Sequence, residues 1–446
     1  MRFTVSPGGS INGEAKVPGD KSISHRSIML GSIANGVTEV SGFLQGADSL
    51  ATLAAFREMG VSISNPENGR VRIEGVGKNG LRAPSNDIDL GNSGTSMRLL
   101  AGLLSGQNFG STLIGDESLS KRPMNRVVHP LRTMGAELDS GEAGRPPIAI
   151  RPGNKLKGIS YELPVASAQI KSCLLLAGLY AEGCTSITEP GPTRDHTERM
   201  LRSLGYAVET KVLESSNAEL SAEGARSQIT VIGDGELNGG DIKVPTDISS
   251  AAFFLVAASI VPGSELTLRD VGVNPTRTGI LHILWDMGAD ITLSNERLWG
   301  AEPVADITVR SASLQGIAIP QRYVPLAIDE FPVVFIAALA ASGTTVLTGA
   351  RELRVKESDR IAVMVKGLKS CGVTIKEHDD GMTVRCSNVN GTTQIETKLD
   401  HRIAMSFLIL GLRAEEPITV DDGSVIETSF PGFVDLMNGL GAKICQ

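Results

Sequence analysis

The sequence predicts an α/β protein of two domains, each built from three copies of one structural unit. Three observations carry that prediction: a short cadence that recurs six times, a helix of small apolar residues ahead of each recurrence, and a length of 446 residues. A chain this long exceeds one ordinary core, so two domains are expected. The cadence reads Met59-Gly60-Val61-Ser62-Ile63, Met134-Gly135-Ala136-Glu137-Leu138, Leu204-Gly205-Tyr206-Ala207-Val208, Met287-Gly288-Ala289-Asp290-Ile291, Cys371-Gly372-Val373-Thr374-Ile375 and Leu440-Gly441-Ala442-Lys443-Ile444. In each, an apolar residue precedes a glycine and a strand-like alternating run. Glycine suits the left-handed turn that ends a helix, and the alternation after it suits a half-buried strand. Such recurrence points to one unit copied six times, three per domain.

Each unit opens with a polar loop and a helix of small apolar residues. These helices are expected at Ser24 to Ala34, Gly94 to Leu104, Ala168 to Ala181, Ile248 to Ser259, Glu330 to Ala341 and His401 to Leu412. They are apolar nearly all round, the mark of buried helices. A second, more charged helix then leads to the recurring glycine, as in Arg351 to Lys369. The stretch Gly233 to Gly240 reads as a hinge, and a second crossing is expected near Pro18-Gly19. The first domain is therefore expected over 20–237 and the second over 1–19 plus 238–446, with hinges near 18–20 and 233–241.

Composition narrows the function. With 41% hydrophobic and 21% charged residues the chain reads as soluble and globular, and its net charge of −8 argues against nucleic acid or an anionic membrane as partner. Five scattered cysteines without a CxxC pair read as reduced thiols, and the N-terminus shows neither a signal nor a transit pattern, so a cytoplasmic location is expected. The longest apolar runs are too short to span a bilayer. Gly75-Val76-Gly77-Lys78-Asn79-Gly80 matches GxGxxG, but Leu81-Arg82-Ala83-Pro84 cannot open a helix well, so it reads as a turn. No Walker, HExxH or EF-hand pattern occurs, and no metal or cofactor is expected.

The chemistry concentrates in the polar loops before the buried helices. A helix N-terminus offers free N–H groups and a positive dipole end, which attract phosphate or carboxylate. Pro18-Gly19-Asp20-Lys21-Ser22-Ile23-Ser24-His25-Arg26 adds two cations and hydroxyls at such a place. Further basic residues recur at matching positions: Arg122, Lys171 and Arg194 in the first half, Lys356, Arg360 and Arg402 in the second. A cleft lined by both domains would explain them better than a solvated face. Asp329, Glu330, Glu357 and Asp359 sit among these cations, where acid–base work needs them; for Glu357 and Asp359 a charged helix face is the alternative. His25 and His401 read as capping or hydrogen-bonding groups.

These residues fall in strings that resemble the 5-enolpyruvylshikimate-3-phosphate synthase family of enolpyruvyl transferases over the whole length. The strings are PGDKSISHR (18–26), LGNSGTSMR (90–98), SLSKRPM (118–124), ASAQIKS (166–172), RDHTE (194–198), IDEFP (328–332), RVKESDR (354–360) and LDHRIAM (399–405). The resemblance implies a two-domain inside-out α/β barrel, each domain three βαβαββ repeats with buried parallel helices and an active site in the interdomain cleft. It also implies transfer of the enolpyruvyl group of phosphoenolpyruvate to the 5-hydroxyl of shikimate 3-phosphate, releasing phosphate through a tetrahedral intermediate, on the way to chorismate and aromatic amino acids. No cofactor is implied, and a monomer is.

By the same resemblance, Lys21, Gly94, Arg122 and Gln169 would hold the donor phosphate, and Arg360 and Arg402 the donor carboxylate, which a planar guanidinium fork suits. Ser22 and Arg26 would bind the shikimate carboxylate side. Ser167, the backbone of Ala168 and Arg194 would bind the 3-phosphate, with Lys21 and Gln169 also near the acceptor. Asp329 and Lys356 would contact ring hydroxyls. Asp329 is expected to accept the 5-hydroxyl proton, Glu357 to protonate the donor methylene and take a proton back, and Lys21 to neutralise the departing phosphate. Two departures from the enterobacterial pattern, Thr428-Ser429-Phe430-Pro431 without a lysine and Arg194-Asp195-His196 near the acceptor phosphate, resemble the family's second class. Gly94 is retained where an alanine would narrow the inhibitor's space, so glyphosate is a candidate ligand and the response to it stays open. Two rivals are a sister transferase acting on UDP-N-acetylglucosamine, whose loop cysteine is missing from Gly115 to Met124, and a non-catalytic phosphate-ligand binder, which would not need both carboxylates.

Overall fold

The computed structural model describes residues 1–213, 226–391 and 394–446. Its contacts divide into two compact units. The first unit is Gly19–Val244 with Trp299–Glu302; the second is Met1–Pro18, Pro245–Leu298 and Pro303–Gln446.

Among the described residues each unit holds six α-helices in alternating pairs. In the first they are α1 (Lys21–Ser32), α2 (Ala47–Glu58), α3 (Gly94–Ser105), α4 (Asn125–Thr133), α5 (Ala168–Gly178) and α6 (His196–Ser203). In the second they are α7 (Ile248–Ile260), α8 (Gly279–Asp286), α9 (Phe331–Ala340), α10 (Arg360–Ser370), α11 (His401–Gly411) and α12 (Phe433–Gly439). The odd-numbered helices are the buried ones, as the small apolar composition predicts; every residue of α7 is buried. Small residues let these helices approach closely. A Cβ added at Gly102 of α3 would lie 2.0 Å from the carbonyl oxygen of Cys173 in α5, so only glycine fits that crossing. Among the described residues no helix is long and apolar enough to cross a membrane.

Among the described residues three sheets pack against the buried helices of each unit. The second repeat shows the pattern in full. Strands Ile88–Asp89, Ser111–Ile114, Ile148–Ile150 and Leu138–Ser140 lie side by side, the first pair parallel and the rest antiparallel. With α3 and α4 this makes one βαβαββ unit. The third repeat copies it with Ser160–Glu162, Cys184–Glu189, Ser227–Ile232 and Glu209–Val212. In the first repeat the parallel edge strand is Asp241–Lys243, from the far end of the unit, paired with Asn35–Ser41. That pairing holds residues just past the glycine-rich stretch in the first unit, whose continuous part ends at Val244. The second unit completes itself with the start of the chain: Asn12–Ala15 pairs in parallel with Glu265–Gly272, and Phe3–Val5 lies between Ile418–Val420 and Ile444–Cys445.

The six cadence glycines end the even-numbered helices. All have positive φ, from +82° at Gly372 to +117° at Gly441. Each N–H bonds to the carbonyl three residues back, and the following N–H to the carbonyl five back, as in Gly135 to Arg132 at 2.9 Å and Ala136 to Leu131 at 3.0 Å. This Schellman geometry satisfies the last helical carbonyls. A second device recurs: the side chain at the position of Arg57 donates to the carbonyl of the strand six residues on. Arg57, Arg132, Arg202, Trp285 and Asn438 donate to Ile63, Leu138, Val208, Ile291 and Ile444 at 2.8–3.1 Å.

Two expectations change. The helix α1 begins at Lys21, not Ser24, because Asp20 caps it by accepting from the Ile23 N–H at 2.9 Å. The single helix expected over Arg351 to Lys369 is broken: Arg351–Val355 forms a 3-10 turn, and α10 starts only at Arg360 under an Asp359 cap. Glu357 therefore sits on a loop, not on a charged helix face.

Candidate active site

In the first unit the starts of α1, α3 and α5 are joined by side-chain hydrogen bonds. Lys21, the first residue of α1, places Nζ 3.1 Å from Oδ2 of Asp48 in α2. Thr52, one turn further along α2, meets both Nδ1 of His25 at 2.8 Å and Oγ of Ser96 in α3 at 2.6 Å. Ser93 caps α3. At the start of that helix a Cβ on Gly94 would lie 3.1 Å from Nη1 of Arg122, so glycine leaves the guanidinium room. Arg122 donates to Asn92 and Ser118. Arg98 of α3 donates to Oε1 of Gln169 in α5 at 2.7 Å, and Gln169 donates to Thr95 at 3.0 Å. Ser167 caps α5 through the Ile170 N–H, and Ala168 is the first residue of that helix.

Arg26 closes the ring. It is buried, and its guanidinium donates to Thr197 of α6 at 2.7 Å, to Ser172 of α5 at 2.8 Å and to the Ser22 carbonyl at 2.9 Å. Burial pulls its pKa down to about 10, against the carboxylates of Glu198 and Asp20. Arg194 lies close enough to Arg26 to push in the same direction as burial.

Lys171 requires a correction. Sequence reading grouped it with cations lining a cleft, but it is 1% exposed and pairs with Glu198 at 2.7 Å and Glu189 at 3.0 Å. Burial works against its charge, yet the two carboxylates outweigh it and raise the pKa. Glu189, by contrast, is pushed up by burial. This lysine supports the site from behind instead of facing a ligand.

In the second unit the predicted residues meet directly. Arg360, 1% exposed, reaches Asp329 at 3.2 Å, Glu357 at 2.5 Å and Asp400 at 2.8 Å. Lys356 lies 3.4 Å from the same Asp329 oxygen. Arg402 donates to the Asp329 carbonyl at 3.0 Å and stands 3.7 Å from Glu330. Burial opposes the charge of Arg360, but Asp400, Glu357 and Asp329 together raise its pKa, so it stays a cation. Cations and carboxylates so interleaved at the starts of α9, α10 and α11 can hold an anion and move protons at one place.

Sequence reasoning missed Asp400 and the group behind Glu330. Asp400 is fully buried and accepts from Arg360, Ser358 and the Arg402 N–H, fixing both arginines. Its position directly before a helix was an N-cap signal. Glu330 accepts from Ser249, to which Arg277 donates at 2.7 Å; nothing in local spacing marks partners so distant in the chain.

The family model described as EPSP synthase (3-phosphoshikimate 1-carboxyvinyltransferase) matches residues 5–437. The 3-phosphoshikimate 1-carboxyvinyltransferase of Alkalilimnicola ehrlichii is 58% identical over 446 residues, covering 100% of this chain and 97% of that protein. The enzyme of the same name from Methylococcus capsulatus is 57% identical over 442 residues, covering 99% and 98%. The solved structure of EPSP synthase from Acinetobacter baumannii superposes with a TM-score of 0.86 at 54% identity, covering 100% of each chain. Matched by the family model over residues 5–437 and by full-length relatives at 57–58% identity, the chain belongs to the EPSP synthase family.

Proposed function

We infer that this chain is a transferase that moves the enolpyruvyl group of phosphoenolpyruvate to the 5-hydroxyl of shikimate 3-phosphate, yielding 5-enolpyruvylshikimate 3-phosphate and phosphate in the shikimate pathway. The observation that carries the reading is the second-unit cluster, where Asp329 and Glu357 share the buried cation Arg360. A binder of anions gains nothing from two carboxylates there; a proton-transfer site needs them. In the addition step the 5-hydroxyl gives its proton to Asp329, its oxygen bonds to C2 of the donor, and Glu357 protonates C3. In the elimination step Glu357 takes a proton back from C3 and the C2–O bond to phosphate breaks; Lys21 neutralises the leaving group, which departs as hydrogen phosphate while Asp329 gives up the proton it took from the hydroxyl.

The remaining assignments belong to the same proposal. Lys21, Gly94, Arg122 and Gln169 hold the donor phosphate, Arg360 and Arg402 its carboxylate. Ser22, Arg26, Ser167, Ala168 and Arg194, with Lys21, Gln169, Asp329 and Lys356, hold the acceptor. Facing anions repel strongly, and the helix-start cations offset that. Glyphosate would compete at the donor subsite beside Gly94, and the enzyme would work as a cytoplasmic monomer.

Phosphate release from phosphoenolpyruvate tests the reading. Release is expected with shikimate 3-phosphate and not with UDP-N-acetylglucosamine, and Asp329→Asn and Glu357→Gln should each lower turnover by about 100-fold or more. No release with shikimate 3-phosphate sinks the activity; undiminished turnover in either variant sinks that residue's role.

A further inference from the structure

The first turn of α6 carries four consecutive side chains, and each bonds to another part of the first unit or to the helix cap. Thr197 accepts from Arg26 and donates to Ser172, Glu198 pairs with Lys171, and Arg199 donates to Asp195 at 2.8 Å. The fourth, His196, is 2% exposed, and its Nδ1 lies 2.8 Å from Oε1 of Glu302. Glu302 is 106 residues away in sequence and also buried. It ends the short stretch Trp299–Glu302 that counts with the first unit although its flanking residues do not. Arg199 grips the same stretch, donating to the Ala301 carbonyl at 2.7 Å.

We propose that Glu302 is a positioning residue for the acceptor's 3-phosphate: through His196 it fixes the first turn of α6, and so holds Arg194, two residues earlier, ready for the phosphate. The proposal rests on the reading of Arg194 as a ligand of the acceptor's 3-phosphate. An arginine on a polar loop loses much rotamer and backbone freedom when it clamps a phosphate, and that loss weakens binding. Pinning the adjoining helix turn from both sides removes part of it beforehand. Thr197 and Glu198 supply one side from α1 and α5, and Ala301 and Glu302 supply the other.

Charge supports the geometry. A buried carboxylate is retained only where its charge is satisfied. Glu302 is among the groups that favour the charged form of Arg26, while Arg194 disfavours it. It also favours the charged form of Arg199. Its carboxylate thus offsets the repulsion between neighbouring guanidiniums while no phosphate separates them.

The full-length Glu302→Gln protein tests this, with calorimetric binding of shikimate 3-phosphate and of shikimate, and steady-state kinetics for both substrates. The expected result is a KM for shikimate 3-phosphate raised about tenfold, with the KM for phosphoenolpyruvate and the affinity for shikimate changed less than about twofold. His196→Asn should give the same shift, and the double variant should be no worse than either single one. Unchanged binding of shikimate 3-phosphate overturns the proposal. So does an equal loss for shikimate, since that would mark general loosening. If Glu302→Gln fails to fold, Glu302→Asp, which keeps the charge and shortens the reach, is read by the same pair of ligands. Failure of the unmodified protein to release phosphate defeats the functional reading and this role together; normal release with an unshifted variant defeats this role alone.

Discussion

At the scale of single residues, the fully buried His25 shows how the first unit links its motifs. Its Nδ1 meets Thr52, and Ser96 lies 3.2 Å away, so the ring joins α1, α2 and α3. Among the described residues its Nε2 has no hydrogen-bond partner. Burial lowers its pKa to about 3, with Lys21 and Arg26 adding to the effect and Asp48 and Asp20 opposing it. The folded state therefore keeps this ring neutral, whereas the unfolded chain protonates it near the ordinary value of 6.5. Below pH 6.5 the unfolded state binds the extra proton, so the stability that is complete above this pH is lost as pH falls towards 3. From about pH 7 to about pH 5 this group alone should remove about 2 kcal/mol. Urea unfolding of the wild type and His25→Gln at both pH values checks this. The wild type should lose about 2 kcal/mol more than the variant, and equal losses would sink the account.

At the scale of elements, the cadence was legible because one position in it admits glycine and little else. Left-handed backbone with a Schellman pair recurs at all six sites, so the pattern survives divergence elsewhere. The loop at Lys356–Asp359 was not legible. Lys356 and Glu357 are good helix formers and only Ser358-Asp359 hints at a cap, and the break is held by partners outside the segment or across it: Ser358 donates to Asp400 at 2.9 Å, and Arg354 bonds Asp359 at 2.9 Å. Lys171 was misread for the same reason, since its charge is visible in sequence and its two burying carboxylates are not. The cadence makes its own prediction. Gly135 has φ +95°, and a Cβ there would lie 3.3 Å from the Lys155 carbonyl oxygen. Gly135→Ala should cost about 1–2 kcal/mol. Gly439, at the end of α12, has no positive φ, and a Cβ added there would meet nothing within 4 Å, so Gly439→Ala should be neutral or stabilise by up to about 1 kcal/mol. Denaturant midpoints of the two variants compare them directly, and indistinguishable shifts would refute the cap argument.

At the scale of the whole molecule, the division into units follows from where each core and sheet finds its residues. The apolar core of the first unit is drawn entirely from Ile23 to Val244. Its three sheets also lie within that span, because Asp241–Lys243 returns to complete the first of them. The second unit instead needs the separate strands Phe3–Val5 and Asn12–Ala15. The two halves of a sixfold repeat therefore differ in how continuous they are, which the cadence alone did not reveal. A domain can fold alone when its core and sheet edges are internal. The fragment Gly19–Val244 meets that condition and lacks only Trp299–Glu302 of its unit. It should unfold in urea as one cooperative transition and retain protected amides in α1 and α3. Its loss should be local: without the Ala301 carbonyl and the Glu302 carboxylate, the amides of Arg199, Met200 and Leu201, which close the first turn of α6, should exchange at least about tenfold faster than in the full chain. Amide exchange by mass spectrometry reads both parts. A gradual, uncooperative melt would refute the independence of the unit, and a fragment as protected at α6 as the full chain would show that the distant stretch pins nothing.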